Sequence, residues 1–265
     1  MKKNNLIKFK KEPEFAELWD VCLHNLLYNK DKYLKEIISL FKKIGISQES
    51  RILDSCAGTG FISLYLRSMD YLVKCMDPMD DEIRVFKEKA KNLNVDNEIF
   101  KCSWAGIPSV FKNEKFDFIF CRGNSFIYAD GGWNKEKTVN TKSALSSYKK
   151  TLKIFYNSLK IGGYLYLDKF PDNETSHKDL VASVQISNKE KENLFFYTRR
   201  IKSKRIREAA MIIANKNEQE RYVPNVTFDL SGLELEKILY EVGFKSVKKV
   251  RFKEEKNFTV WLVQK

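Results

Sequence analysis

The sequence predicts an α/β protein: a mostly parallel sheet flanked by helices, with an antiparallel last strand and an antiparallel β insertion near the C-terminus. Three observations carry this expectation. From Arg51 to about Asp168, short apolar runs alternate with segments of helical period. A run of small residues, Ser55-Cys56-Ala57-Gly58-Thr59-Gly60, comes straight off the first apolar run and opens a helix. Beyond residue 190 the pattern changes to extended segments separated by turns.

Taken in order, the first fifty residues read as helices. Phe15, Leu18, Trp19, Cys22, Leu23 and Leu26 form one apolar stripe, and Leu34, Ile37, Ile38, Phe41 and Ile44 form another that ends near Gly45. Strands are expected at Arg51–Asp54, Tyr71–Met76, Asn97–Cys102, Phe116–Cys121 and Gly163–Leu167. Helices are expected at Phe61–Ser68, Asp80–Asn92, briefly near Ser109, and from Ser143 to Leu159, with Ile161-Gly162-Gly163 as the stop signal of the last. Three extended segments follow, Leu194–Ile201, Arg205–Ala214 and Arg221–Leu230, with a basic turn between the first two. A helix from Gly232 to Glu241 ends at Gly243, and Lys245–Phe252 and Phe258–Gln264 close the chain as a hairpin around the charged turn Lys253–Asn257. No repeat or low-complexity linker divides the chain. The expected organisation is one domain over residues 1–265: helices over 1–48, a ligand-binding core over 49–170, an antiparallel extension over 190–230 and a closing helix and hairpin over 231–265.

Composition narrows the function class. A chain of 265 residues with 43% hydrophobic and 13% aromatic residues has the apolar mass for a sizeable core, which excludes disordered, collagenous and coiled-coil readings. No run reaches the ~18 apolar residues of a membrane helix. The basic start MKKNNLIKFKK leads into Glu12-Pro13-Glu14 rather than an apolar core, so it is not a signal peptide, and a soluble cytoplasmic protein with no membrane partner is expected. The five cysteines, Cys22, Cys56, Cys75, Cys102 and Cys121, show no paired spacing and fit reduced thiols; with only His24 and His177 present, no metal is expected. The net charge of +13 suits acidic partners or a lysine-heavy surface.

The glycine loop carries the chemistry. Small residues between a strand and a helix N-terminus let backbone N–H groups approach a ligand closely. Asp77 ends the second strand, where a carboxylate would accept hydrogen bonds from the two hydroxyls of a ribose. A dinucleotide fingerprint requires G-x-G-x-x-G and admits a pyrophosphate; here Asp54 stands beside the loop and would repel one. The same carboxylate suits the ammonium of an amino-acid-bearing nucleoside, S-adenosylmethionine. A dinucleotide and a purely structural glycine turn are the competing readings.

The run ILDSCAGTGFISLYL, with Asp77 at the next strand end, resembles motifs I and II of class I S-adenosylmethionine-dependent methyltransferases, whose sheet is Rossmann-like. The consensus has a glycine where Cys56 stands. The resemblance implies that Asp54 lies near the methionine amino group, that Cys56, Ala57, Gly58 and Gly60 line the methionyl and ribose parts, and that Asp77, followed by Pro78, holds the ribose hydroxyls. Ser103 and Trp104 match the place where such enzymes meet the adenine. Cys121, at the end of the fourth strand, is counted with the same site and reads as buried and inert.

The fourth strand narrows the acceptor. The Asn/Asp-Pro-Pro-aromatic segment of enzymes acting on exocyclic base amines is missing, as is the Pro-Cys setting of those acting on C5 of pyrimidines. Instead Cys121-Arg122-Gly123-Asn124-Ser125-Phe126 is similar to the CLGNSF-type segment of glycine and sarcosine N-methyltransferases. That likeness implies a substrate-orienting Asn124, and a donor- and substrate-facing Tyr33 in Asn29-Lys30-Asp31-Lys32-Tyr33-Leu34. One departure stands out. Where that family has an Asp-His-Arg-Asn-Tyr-like run whose arginine clamps the substrate carboxylate, this chain has Leu167-Asp168-Lys169-Phe170-Pro171-Asp172. Lysine does not replace a bidentate arginine clamp, so glycine itself is not the expected substrate. Lys169, Arg122 and Arg221 are the cations that would meet an anionic group, and Asp168 is the nominated proton acceptor.

Methyl transfer to a small-molecule amine is therefore expected, with residues from about Leu194 to Leu230 folding over the cleft to shape the acceptor pocket. O-methylation of an acidic or sugar metabolite is the alternative within that class. Arg199, Arg200, Lys202, Lys204, Arg205 and Arg207 form a basic patch across the hairpin turn. It supports a competing RNA-methylating or RNA-binding reading, but it lacks the interleaved aromatics that stack bases.

Overall fold

Helices open the chain, as the apolar stripes require, but a short strand precedes them. The computed structural model describes residues 6–130, 140–215, 220–255 and 257–265, so the first five residues and Lys256 of the charged turn lie outside the described residues. Strand β1 (Leu6–Phe9) leads to helix α1 (Phe15–Cys22), a π-helical turn (Leu23–Leu27) and helix α2 (Lys30–Ile44). Asn29 caps α2 by accepting the Lys32 N–H at 3.3 Å. The stripe Tyr33, Ile37 and Phe41 then faces inward at helical spacing, all three fully buried.

The parallel core comes next: β2 (Ile52–Asp54), α3 (Ser63–Arg67), β3 (Val73–Asp77), α4 (Asp80–Asn92), β4 (Phe100–Lys101), α5 (Ile107–Val110), β5 (Phe116–Cys121), α6 (Thr141–Ser158) and β6 (Leu159–Lys169). Four strands follow, β7 (His177–Ile186), β8 (Lys191–Ile201), β9 (Ile206–Ala214) and β10 (Glu220–Phe228). Helix α7 (Gly232–Val242) and the hairpin β11 (Ser246–Val250) and β12 (Thr259–Gln264) complete the chain. A capping box between Ser231 and Glu234 starts α7.

Seven strands form the main sheet in the order β11-β12-β6-β5-β2-β3-β4, all running in one direction except β12, which is antiparallel to both β11 and β6. The central strands β2, β5 and β12 are buried on both faces. Phe118 and Phe120 of β5 pack in one core layer with α2, while Ile119 and Cys121 pack in the other with α6 and α7. From β2 the chain winds to β3 and β4 on one side, then returns to β5 and β6 on the other. The C-terminal ends of β2, β3 and β5 therefore border the crevice where such sheets place ligands.

The second sheet, β1-β7-β8-β9-β10, is antiparallel apart from the β1–β7 pair. The two sheets correct several expectations. Residues Leu6–Phe9 form an edge strand rather than part of a helix, with Ile7 and Phe9 packed on the core. The extension starts at His177, not near residue 190, because β7 pairs with β8. Residues Gly162 and Gly163 sit inside β6 and do not stop α6, which ends at Ser158. A Cβ at Gly163 would lie 3.0–3.1 Å from the carbonyl oxygens of Lys160, Asp117 and Phe116, a backbone approach that only glycine permits. The third strand of the parallel core is also shorter than expected, just Phe100–Lys101.

Candidate active site

A cleft with about 1370 Å³ of empty space, part of it open to solvent, lies at the C-terminal ends of β2, β3 and β5 and is roofed by the second sheet. At one end is the glycine loop. Ser55 donates its N–H (3.0 Å) and its hydroxyl (2.6 Å) to the Phe120 carbonyl, and Ala57 donates to the Met76 carbonyl (3.0 Å), so the loop is fastened to both neighbouring strands. Gly58 turns at φ +52° and donates its N–H to the Asp77 carboxylate at 3.0 Å. The other Asp77 oxygen accepts the Met79 N–H at 3.0 Å. Asp77 is only 6% exposed, and burial raises its pKa to about 6 against the lowering effect of those two N–H groups.

Cys56, Ala57, Gly58, Asp77, Pro78, Ser103 and Trp104 all line the cleft, as do Arg122 and Asn124. Trp104 donates its indole N–H to the Ser55 carbonyl at 2.7 Å, which fixes the ring beside the loop. The Cys56 thiol donates to the Arg122 carbonyl at 3.4 Å and accepts the Arg122 N–H at 3.2 Å, so it ties the loop to the end of β5. Arg122 is buried over the Phe61 ring, 5.2 Å from its centroid, and its Nε has no hydrogen-bond partner among the described residues. Burial opposes its charge, but Asp54 ahead of other neighbours outweighs that and raises its pKa.

Several residues nominated from the sequence hold the site together without lining it. Asp54 is fully buried, accepting the Ser63 hydroxyl and the Cys56 N–H; it folds the loop. A Cβ on Gly60 would meet Leu64 at 2.6 Å and Phe86 at 2.8 Å, so this glycine is a packing requirement. Cys121 is buried in β5, and burial drives its thiol well above the ordinary range. Asp168 is fully buried and accepts the N–H groups of Gly123 (2.9 Å) and Asn124 (2.7 Å). It anchors the loop after β5, and burial raises its pKa to about 6. Asn124, at φ +61°, accepts the Phe170 N–H through Oδ1 at 3.0 Å, which fixes the orientation of its amide in the cleft.

Three nominations are relocated outright. Tyr33 lies on the inward stripe of α2, with its hydroxyl 2.8 Å from that of Tyr166 and its ring 4.7 Å from that of Tyr28, and it does not line the cleft. Lys169 points the other way from β6, donating to Asp172 (2.7 Å) and the Phe170 carbonyl (2.8 Å). Arg221 grips Glu192 through two nitrogens, at 3.0 and 2.7 Å, and also pairs with Glu12. The basic patch is partly neutralised in the same manner. Arg200 pairs with Asp229 (2.6 Å), Arg205 with Glu234 (2.6 Å) and Arg207 with Glu174, while Arg199, Lys202 and Lys204 are exposed.

Sequence reasoning missed two parts of the cleft. Glu82 is 6% exposed in the first turn of α4, with Oε2 unpartnered beside Gly58. Burial, then Asp77, pushes its pKa well above the ordinary carboxylate range. Its place on the apolar face of α4, in step with Val85 and Phe86, was the available signal. The second part is the far wall, made by Phe15 and Trp19 of α1, Tyr128, Phe170, and Phe196, Ala210, Met211, Val223 and Asn225 of the second sheet. The extension therefore does cover the cleft. Asn225 is 4% exposed; its Nδ2 donates to the Tyr128 hydroxyl at 2.5 Å and its Oδ1 has no partner among the described residues. An orphaned buried acceptor of this kind costs about 1–3 kcal/mol.

Comparison with known proteins agrees with this geometry. A family model described as a methyltransferase domain matches residues 46–210. No curated protein matches the sequence. Among solved structures, an S-adenosylmethionine-dependent methyltransferase from Clostridium acetobutylicum superposes with a TM-score of 0.66 at 15% identity, covering 94% of this chain and 97% of its own. The CcbJ methyltransferase from Streptomyces caelestis gives 0.68 at 14% identity, covering 97% and 98%. The sugar N-methyltransferase KedS8 from Streptoalloteichus gives 0.64 at 12% identity, covering 96% and 94%. With the family model covering well over half of its length, and the sheet order and loop of that fold in place, the chain belongs to the methyltransferase-domain family and is an enzyme of the class I, S-adenosylmethionine-dependent type.

Proposed function

We propose that this enzyme moves a methyl group from S-adenosylmethionine to an amine nitrogen on a small molecule. The distribution of titratable groups in the cleft carries this reading. Among the described residues, the carboxylates lining it are Asp77 and Glu82, both at the glycine-loop end, and no histidine lines it. A hydroxyl acceptor must pass its proton to a base as it attacks, whereas a neutral amine attacks with its lone pair and sheds a proton afterwards. His177 lines a neighbouring cavity and pairs with Asp179 at 3.2 Å.

The residues at the loop end suit the donor. Each Asp77 oxygen takes one backbone N–H, which leaves lone pairs for two ribose hydroxyls. The backbone from Cys56 to Gly58 would run along the methionyl and ribose parts, and Ser103 and Trp104 along the adenine. Arg122, with its free Nε beside Asp54 and the loop, would take the methionyl carboxylate. The bound donor supplies a sulfonium-activated methyl carbon. The protein's contribution is alignment and the exclusion of water, with Asn124 holding the acceptor and the second sheet closing over it. KedS8, a sugar N-methyltransferase, shares this fold.

The test is transfer of labelled methyl from S-adenosylmethionine into a cell extract that is then separated into small molecules, RNA and protein. Label in small molecules supports the proposal. Label confined to RNA would make the exposed cations Arg199, Lys202 and Lys204 functional and overturn it.

A further inference from the structure

We infer that Asn225 is a specificity-determining residue whose side-chain carbonyl accepts a hydrogen bond from the methyl acceptor, and that this acceptor has an uncharged, largely apolar body. The inference rests on the small-molecule reading above. Within the far wall of the cleft, Phe15, Trp19, Phe170, Phe196 and Met211 are apolar or aromatic and carry no charge. Asn225 interrupts that wall from β10. Its amide nitrogen lies against the Tyr128 hydroxyl, and Oδ1 is the atom left over. Asn225 lines the cleft, and that oxygen is buried and has no hydrogen-bond partner among the described residues. A buried acceptor held in place with nothing to accept from is complementary to a ligand N–H or O–H.

Charge points the same way. The cations nominated for an anionic acceptor are engaged elsewhere: Lys169 by Asp172, Arg221 by Glu192 and Glu12. Arg207, in the second sheet near the cleft, is held by Glu174 and Asp229. Arg122 is the one cation lining the cleft among the described residues, and it stands at the loop end over Phe61. An acceptor carboxylate or phosphate at the far wall would lose its hydration without gaining a counter-charge. An amine with an adjoining donor group and a hydrocarbon body meets every group that is present.

The experiment uses the small-molecule fraction of a cell extract as acceptor source and compares the wild type with Asn225→Leu and Asn225→Asp. Labelled product is passed over an anion-exchange resin, and affinity for S-adenosylhomocysteine is measured by calorimetry for each protein. The expected result is label in the unretained fraction, about tenfold slower labelling by Asn225→Leu, near wild-type labelling by Asn225→Asp, which keeps an acceptor oxygen, and unchanged S-adenosylhomocysteine affinity in both. Product retained on the resin, undiminished labelling by Asn225→Leu, or equal losses in both variants would overturn the inference while leaving amine methylation standing. Absence of label in small molecules with the wild type would instead remove the functional reading itself, and the inference with it.

Discussion

Asp77→Asn separates binding from stability. The wild-type carboxylate is nearly buried, and its pKa of about 6 lies roughly two units above the ordinary aspartate value. At 1.36 kcal/mol per unit, keeping it ionised in the empty enzyme near neutral pH costs on the order of 3 kcal/mol. The sign follows from the raised value. The folded protein holds this proton more tightly than the unfolded chain, so the contribution to stability is fully present at low pH and is lost as pH rises through about 6. Asparagine removes that loss but faces one of the Gly58 and Met79 N–H groups with its own NH₂, which gives back about 1–3 kcal/mol. The variant should therefore melt no lower than the wild type near neutral pH, and up to about 5 °C higher. Donor binding should move in the other direction. Losing one charge-assisted hydrogen bond and weakening the second is worth about 3 kcal/mol, so S-adenosylhomocysteine affinity should fall about a hundredfold. In the wild type that affinity should also weaken as pH drops below about 6, because the ionised carboxylate is the form that accepts both hydroxyls; in Asp77→Asn it should be flat. Calorimetric titration across this pH range reads both effects. An affinity within about threefold of wild type at neutral pH would refute the ribose assignment.

Two further substitutions distinguish residues that build the site from those that meet ligands. Gly60→Ala places a Cβ 2.6 Å from Leu64 in a backbone of φ +80°, at a cost of about 2–4 kcal/mol. Scanning calorimetry should show a fall in melting temperature of about 5–10 °C. Tyr33→Phe removes the bond to Tyr166 and a hydroxyl that faces buried Glu255, so it should cost about 1–2 kcal/mol in stability and leave kcat/KM unchanged; a tenfold loss in kcat/KM would return Tyr33 to the acceptor site.

Much of the parallel core is legible in the sequence, for local reasons. β5 and α4 fall where the apolar runs and helical period place them, since a strand buried on both faces reads as a continuous run and an acidic first turn marks a helix start. β1 is not legible. Its four residues gain their structure from pairing with Ser183–Ile186 of β7, far along the chain, and no local signal encodes that pairing. The Gly162-Gly163 pair misleads for a related reason: glycine marks both a helix stop and a close strand approach, and the carbonyls that decide between them come from β5 and β6. In the site, the motif residues are legible but their division of labour is not. Asp54, Gly60 and Asp168 sit next to ligand-facing positions in the chain, yet Ser63, Leu64 and the Gly123–Asn124 backbone occupy them. The acceptor wall is the least legible part, because Trp19, Tyr128, Met211 and Asn225 come from four separate segments that only the folded extension brings together.

The most direct measurement is the position of the transferred carbon. S-adenosylmethionine labelled with ¹³C in its methyl group, incubated with the enzyme and the small-molecule fraction of an extract, gives a product whose methyl resonance reports the bonded atom. A methyl carbon shifted to the N-methyl region, correlated with protons of an amine-bearing molecule, is the predicted result. A resonance in the O-methyl region would show that a hydroxyl is deprotonated in a cleft whose described carboxylates stand at the donor end, and would contradict the account.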